Sequence, residues 1–241
     1  MPTTPYGSTL TPASRQEPAV PPVTAATAPA TLSPAQLRQI LIGLLLGIFL
    51  SALDQTIVAV ALPEIALQLP GSEVLAWVVS AYLLAMTLST PFFGKLGDLF
   101  GRRRLLLISL ALFVFASMLC AMAADMWQLV GARALQGIGA GGMVATTQAL
   151  IGDLIAPAER GRYQAWFSGM FALASLIGPP LGGLLSQQLS WRWVFWINLP
   201  IGLLAMWLSN RRLAGLPEKR RKARLDYLGG LLLLIGLGSL L

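Results

Sequence analysis

The stretch ILIGLLLGIFLSALDQTIVAVAL, residues 40–62, is long and apolar, and it contains a single charged residue, Asp54. A run of about 20 predominantly apolar residues is long enough to cross the hydrocarbon core of a bilayer as a helix. The stretch therefore predicts a transmembrane helix with a carboxylate inside it. An ionisable side chain in hydrocarbon is costly, so it usually faces a partner or a cavity and marks an ion or substrate path.

Further apolar runs of near-membrane length predict a protein that crosses the membrane several times. They occupy residues 74–93, 105–124, 127–150, 165–185 and 194–208. The run 127–150 carries a second intramembrane charge, Arg133. A seventh run begins near Tyr227 and is still apolar at Leu241. Since it stops short of the roughly 20 residues needed to span, we expect the chain to be part of a longer protein.

Composition excludes several classes of protein. Hydrophobic residues make up 56% of the chain and charged residues only 11%, against about 25% charged residues in a typical soluble domain. The net charge of +7 does not indicate nucleic-acid binding, because the basic residues lie in short segments between apolar runs. The chain has no histidine, which removes Ser-His and Cys-His dyads and His-based metal sites.

Four segments follow from the composition. Residues 1–37 form a Pro/Thr/Ala-rich tail that we expect to be disordered, residues 38–213 a six-helix transmembrane bundle, residues 214–226 a basic loop, and residues 227–241 the truncated start of a seventh helix. Ser33-Pro34-Ala35-Gln36 matches a capping box that opens the first helix.

The distribution of lysine and arginine predicts the orientation. Of the 17 basic residues, 15 fall in the tail and in alternate loops, which belong to one side of the membrane. Basic loops are retained in the cytoplasm, so the N-terminus is predicted to be cytoplasmic. Asp54 then lies roughly 21 Å along the first helix and Arg133 roughly 9 Å along the fourth, at 1.5 Å per residue. Because the two helices run in opposite directions, the side chains reach a similar depth and can pair.

One connecting segment has a pattern of its own, GKLGDLFGRRR at residues 94–104. Gly94 and Gly101 permit close approach and a tight turn, Asp98 can pair with an arginine or cap a helix, and Arg102 and Arg103 can hold the segment at an anionic membrane surface. Simple anchoring by positive charge is the alternative interpretation. The segment resembles the signature loop of the major facilitator superfamily.

Other segments resemble motifs of the same superfamily, in particular its fourteen-helix drug:proton antiporter group. They are LDQTIVAVALP (residues 53–63) on the first helix, RALQGIGAGG (133–142) on the fourth, GPPLGG (178–183) on the fifth, and WRWVFWINLP (191–200) at the opening of the sixth. The resemblance implies an all-α membrane protein: a six-helix N-terminal bundle of the major facilitator fold, built from two inverted three-helix repeats, plus an incomplete seventh helix.

The resemblance also implies roles for individual residues. Asp54 would carry the coupling proton and Arg133 would modulate it, with a static structural ion pair as the alternative. Gln136, one turn from Arg133, would face the same cavity or make an interhelical hydrogen bond. Gly94, Asp98, Gly101, Arg102 and Arg103 would form a cytoplasmic loop or gate. Gly178, Pro179, Gly182 and Gly183 would form a hinge and packing seam in the fifth helix, with ordinary tight packing as the alternative.

The implied function is proton-coupled antiport that exports lipophilic or cationic small molecules, that is, multidrug efflux at the plasma (inner) membrane. The chain would be the N-terminal half, and its partners would be the bilayer, the substrate, the proton and the missing C-terminal half. We expect no nucleic acid, no cofactor, no metal and no enzymatic activity. A solute or siderophore carrier of the same fold, or a non-transporting membrane subunit, are the alternatives.

Overall fold

The computed structural model describes residues 33–214, and the regular structure in this range is helical throughout. The helices are α1 (Pro34–Gln68), α2 (Leu75–Phe100), α3 (Arg102–Met122), α4 (Met126–Leu154), α5 (Arg160–Gln188), α6 (Trp193–Trp196) and α7 (Asn198–Leu213). Short 3₁₀ turns, Ser72–Val74 and Pro157–Glu159, precede α2 and α5. The sixth predicted span is therefore split into α6 and α7, and the predicted six-helix architecture is confirmed.

The first helix begins earlier than the apolar run that predicted it. Ser33 caps α1: its Oγ accepts a hydrogen bond from the backbone N–H of Gln36, and the Gln36 side chain accepts one from the N–H of Ser33. Residues 34–37 are thus helical, and assigning them to a disordered tail was wrong. The remainder of that tail, and the predicted basic loop and seventh helix beyond Ala214, lie outside the described residues.

The connection between α2 and α3 is much shorter than predicted. Gly94 and Asp98 lie within α2, which continues to Phe100, and Arg102 opens α3. Gly101 alone makes the turn, with φ 92° and ψ 128°, a conformation that glycine adopts without the steric penalty of a Cβ. At Gly94 an added Cβ would meet nothing within 4 Å. The prediction of a loop beginning at Gly94, with close approach there, was therefore wrong.

Five helical segments of the described chain are long and apolar enough to cross a membrane, and α4 is not among them. It is long, with 29 residues, but Arg133, Gln136 and a series of glycines lower its hydropathy. Its packing explains how this composition is accommodated. The helix lies against both α2 and α3, so many of its residues contact protein rather than lipid.

Glycines allow α4 to approach these neighbours. A Cβ at Gly139 would lie 2.7 Å from the backbone N of Phe113 in α3, and one at Gly137 would overlap the backbone carbonyl oxygen of Tyr82 in α2. Small residues at such crossings let helix backbones approach closely in membranes. Gly137 and Gly139 thus allow α4 to pack against α2 and α3 at the same time. On the other side of the bundle, α1 packs against α5 and α7, and α7 packs against α3.

We expect Gly137→Ala to lower the midpoint of thermal unfolding in detergent, because the added methyl group has no space beside the Tyr82 carbonyl. Overpacking typically costs about 1–3 kcal/mol, more than the roughly 0.8–1.0 kcal/mol that alanine gains over glycine in a helix. Gly131→Ala in the same helix is the control, since its Cβ would meet nothing within 4 Å. Equal midpoints for the two variants would contradict the α2–α4 packing described here.

Candidate functional site

The two intramembrane charges are brought together in the middle of the bundle. An Arg133 Nη1–H on α4 donates to Oδ2 of Asp54 on α1 at 2.5 Å. Both side chains are inaccessible to solvent, with Asp54 0% and Arg133 1% exposed. A carboxylate removed from water must be met by opposite charge and by hydrogen-bond donors, or its burial is prohibitively costly. The remaining contacts of Asp54 supply those donors.

Gln136 is oriented by contacts at both ends of its amide. Its Nε2 donates to Oδ1 of Asp54 at 3.0 Å, while its Oε1 accepts from Arg133 Nη1 at 2.8 Å and from the Cys120 thiol at 3.5 Å. Of the two roles considered for Gln136, the structure shows an interhelical hydrogen bond. In this arrangement it is fully buried against Asp54 and does not face an open cavity.

Asn198, which sequence analysis did not select, completes the shell around the carboxylate. Its Nδ2 donates to Asp54 Oδ1 at 2.7 Å and to Ser117 Oγ at 2.9 Å, and Ser117 in turn donates to the backbone carbonyl of Phe195. Asn198 is the first residue of α7, directly after the break that separates α6 from α7. Its amide Oδ1 is buried and has no hydrogen-bond partner among the described residues.

Arg133 is fixed by contacts beyond the ion pair. Its Nε donates to the backbone carbonyl of Val78 at 3.3 Å, and its guanidinium carbon lies 4.1 Å from the centre of the Tyr82 ring. The Tyr82 hydroxyl is hydrogen-bonded to Ser51 on α1. The aromatic face stabilises the buried cation, so α1, α2, α4 and α7 all contribute contacts to one polar centre in the apolar core. We call Asp54, Arg133, Gln136, Asn198 and Ser117 the central network.

The predicted loop or gate residues divide into two groups. Arg102 contacts Asp98 at 2.9 Å and Asp153 of α4 at 2.8 Å, and it also donates to the backbone carbonyl of Ala149. It therefore joins the ends of α2, α3 and α4. Arg103 takes no part in this cluster: its Nη2 donates to the Asn210 side chain on α7. We call the end of the bundle that carries these arginines the basic end.

Only part of the predicted seam on the fifth helix is in contact with another helix. A Cβ at Gly178 would overlap Thr56 of α1, and one at Gly182 would lie 2.8 Å from the carbonyl oxygen of Ile57. Gly183 is open, and Pro179 lies on an exposed face. The packing contact with α1 is therefore made by Gly178 and Gly182 and not by Gly183, and the hinge role of Pro179 stays a prediction. Both Pro179 and Pro180 are inside α5, which is assigned as one helix through them.

Comparison with known proteins identifies the family. The family model described as "Major Facilitator Superfamily" matches residues 44–238. The chain belongs to the major facilitator superfamily. Membership explains the long apolar helices of a multi-pass membrane protein, and it places the chain in a family of transporters rather than enzymes.

Several curated relatives have names that refer to multidrug resistance or multidrug transport. The chain is 38% identical over 211 residues to "Multidrug resistance protein 3" of Bacillus subtilis (strain 168), covering 88% of this chain and 41% of that relative. It is 42% identical over 199 residues to "Multidrug transporter protein MdtP" of the same organism, covering 83% and 37% respectively. The chain thus spans about two fifths of the length of these two superfamily members.

Solved structures support the superfamily fold. A D-xylose-proton symporter matches with a TM-score of 0.66 at 18% identity, over 84% of this chain and 55% of that chain. The human organic anion transporter MFSD10 (TETRAN) matches with a TM-score of 0.65 at 21% identity, over 83% and 54% respectively. At these identities the likeness establishes the fold of the bundle.

We expect Arg133→Met to destabilise the protein more than the double variant Asp54→Leu/Arg133→Met. The single variant leaves a buried carboxylate without its counter-ion, which typically costs about 3–5 kcal/mol, whereas replacing both partners by apolar residues is often nearly neutral. Unfolding midpoints in detergent provide the measurement. Arg162→Met, which removes an exposed arginine, controls for loss of charge alone. A double variant no more stable than Arg133→Met would argue against the ion pair.

Proposed function

We propose that this chain is the N-terminal half of a proton-coupled antiporter that exports lipophilic or cationic small molecules, with its N-terminus in the cytoplasm of a plasma (inner) membrane. The names of the two Bacillus subtilis relatives support export of drugs. The predominance of basic residues in one set of loops supports the orientation. The single observation that carries the coupling proposal is the central network around Asp54.

The hydrogen-bond pattern of the network explains how Asp54 would respond to a proton. Arg133, Gln136 and Asn198 all donate to the carboxylate, so the arrangement fits an ionised Asp54. A protonated carboxyl group needs an acceptor for its own hydrogen and attracts Arg133 less strongly. Proton binding would therefore require the network to rearrange, which is the property that a coupling residue needs.

The side-chain amides of Gln136 and Asn198 both face the carboxylate. They differ in how readily each can rotate by about 180° and exchange the positions of its oxygen and nitrogen. Inverting the Gln136 amide would place its NH₂ group against the Arg133 guanidinium, because Oε1 now accepts from Arg133. Asn198 has no such restraint, since its Oδ1 is unpartnered. Turned over, it would offer Oδ1 to a protonated Asp54. The Ser117 hydroxyl, which now accepts from Asn198 and donates to the Phe195 carbonyl, would have to release that carbonyl in order to donate to the turned Asn198 Oδ1.

This rearrangement would connect proton binding to helix movement. Asp54 is on α1, Arg133 on α4 and Asn198 on α7, so exchanging one hydrogen bond for another changes how three helices are held together. A ligand shifts a conformational equilibrium by its difference in affinity between two states. We propose that the proton acts in this way, and that a second bundle, supplied by the missing C-terminal half, forms the other wall of the substrate path.

We expect Asp54→Asn to abolish substrate-driven proton release in the protein that reaches the membrane, because asparagine keeps the size of the side chain but has no carboxyl group that can bind and release a proton. The full-length product of the gene that encodes this chain would be tested in everted membrane vesicles with a panel of cationic and lipophilic drugs. Asp125→Asn is the matched control, since Asp125 caps α4 outside the network and asparagine is also a good cap.

The same assay separates the alternatives. A solute or siderophore carrier would release protons with those substrates and not with drugs. A non-transporting subunit would show no substrate-driven release in the wild type and no effect of Asp54→Asn. Either result would overturn the drug-export proposal. Unchanged drug-driven release in Asp54→Asn would overturn the role of Asp54.

The role of Asn198 has an independent spectroscopic test. If Asn198 turns over when Asp54 takes a proton, the acid-induced infrared difference spectrum of the full-length protein contains a side-chain amide band. We expect Asn198→Leu to remove that band. Asn210→Leu, at the other end of the same helix and outside the network, should retain it. Identical spectra for wild type and Asn198→Leu would rule out the proposed rearrangement.

A further inference from the structure

A groove lies between α3 and α7, apart from the central network and near the basic end. Its volume is about 250 Å³, and it is lined by Leu107 of α3 and by Leu203, Met206, Trp207 and Asn210 of α7. The α7 residues recur at the spacing of one helix face. Leu203 and Trp207 are about half exposed, at 56% and 52%. The groove is therefore apolar, and it is open on the outer surface of the bundle.

Two arginines contact residues that line this groove at its end near the basic end. Arg103, one turn before Leu107 on α3, donates from Nη2 to the Asn210 side chain at 2.6 Å and to its backbone carbonyl at 3.2 Å. The Arg103 Nε is buried and has no acceptor among the described residues. Arg211 places its guanidinium 4.9 Å from the centre of the Trp207 ring. Arg104 and Arg212, adjacent in sequence to these two, are exposed.

None of these arginines takes part in the ion pairs found among residues 33–214, which join Arg102 to Asp98 and Asp153 and join Arg133 to Asp54. Neither α3 nor α7 contains an aspartate or glutamate. The Arg103 Nε is a buried donor without an acceptor in the described part of the chain, and such donors are rare. A negatively charged ligand with several acceptor oxygens would satisfy it and balance the surrounding charge.

We propose that this groove binds an anionic phospholipid, with an acyl chain along Leu107, Leu203, Met206 and Trp207 and the phosphate at Arg103 and Arg211. Charge complementarity selects an anionic headgroup, and the apolar wall that continues from the arginines selects a lipid over a free anion. Basic pockets between transmembrane helices are known binding sites for anionic headgroups.

Such a lipid would act on the pairing of α3 with α7. The Arg103–Asn210 contact bridges these helices at the basic end, and a phosphate bound to Arg103 would hold the guanidinium in the position that reaches Asn210. The acyl chain would fill the space between the helices. Lipid binding would therefore stabilise the helix whose first residue, Asn198, belongs to the central network. The lipid site itself does not depend on the proposed antiport.

The test measures thermal stability of the full-length gene product in uncharged detergent. Phosphatidylglycerol, phosphatidylcholine with the same acyl chains, and inorganic phosphate would be added separately. We expect phosphatidylglycerol to raise the unfolding midpoint by several degrees more than the other two. Arg103→Gln/Arg211→Gln should lose most of that difference. Arg38→Gln/Arg162→Gln, which removes two exposed arginines elsewhere, should keep it.

A second variant tests the groove without changing charge. Met206→Trp would fill the apolar groove and leave the arginines in place. We expect this variant to retain fewer phosphatidylglycerol molecules in native mass spectrometry. Equal stabilisation by phosphatidylcholine, or full stabilisation by phosphate alone, would overturn the proposal. Identical effects of phosphatidylglycerol on wild type, Arg103→Gln/Arg211→Gln and Met206→Trp would also overturn the proposal. That result is expected if another segment of the chain fills the groove.

Discussion

The need to satisfy one buried carboxylate organises the centre of this bundle. Asp54 is completely enclosed, and removing a carboxylate from water costs several kcal/mol even after the protein relaxes around it. Arg133 supplies the counter-charge, and Gln136 and Asn198 supply further donors. Because these groups come from α4 and α7 while Asp54 is on α1, the chemistry of one side chain determines which helices must meet and at what depth.

That requirement has a consequence for α4. A helix carrying an arginine and a glutamine in its apolar region is a poor candidate for contact with lipid, and α4 is the long helix of the described chain that lacks the hydropathy of a membrane span. Glycines allow α2 and α3 to cover it closely. The polar residues and the glycines therefore depend on each other, because the charges must be enclosed and the glycines let α2 and α3 come close enough to enclose them.

Much of this architecture could be predicted from the sequence because its signals are local. Apolar runs, intramembrane charges and short motifs indicated six helices, the family, and the pairing of Asp54 with Arg133. Asn198 was missed because, unlike Arg133, it carries no charge that requires a partner, so nothing in the sequence pointed to a carboxylate 144 residues away. The separation of Arg102 from Arg103 was missed because consecutive helical residues point about 100° apart, so one faces α4 and the other α7.

The two charge clusters share α4, and this geometry limits how the bundle can move. Arg133 lies near one end of α4 and Asp153 near the other, 20 residues apart in one continuous helix, or about 30 Å at 1.5 Å per residue. One cluster joins α4 to α1 and α7, and the other joins it to α2 and α3. If loss of the Asp54–Arg133 contact let α4 tilt or turn as a rigid body, the Arg102–Asp153 contact would have to adjust as well. A change in protonation at the centre would then reach the basic end without any flexible segment in between.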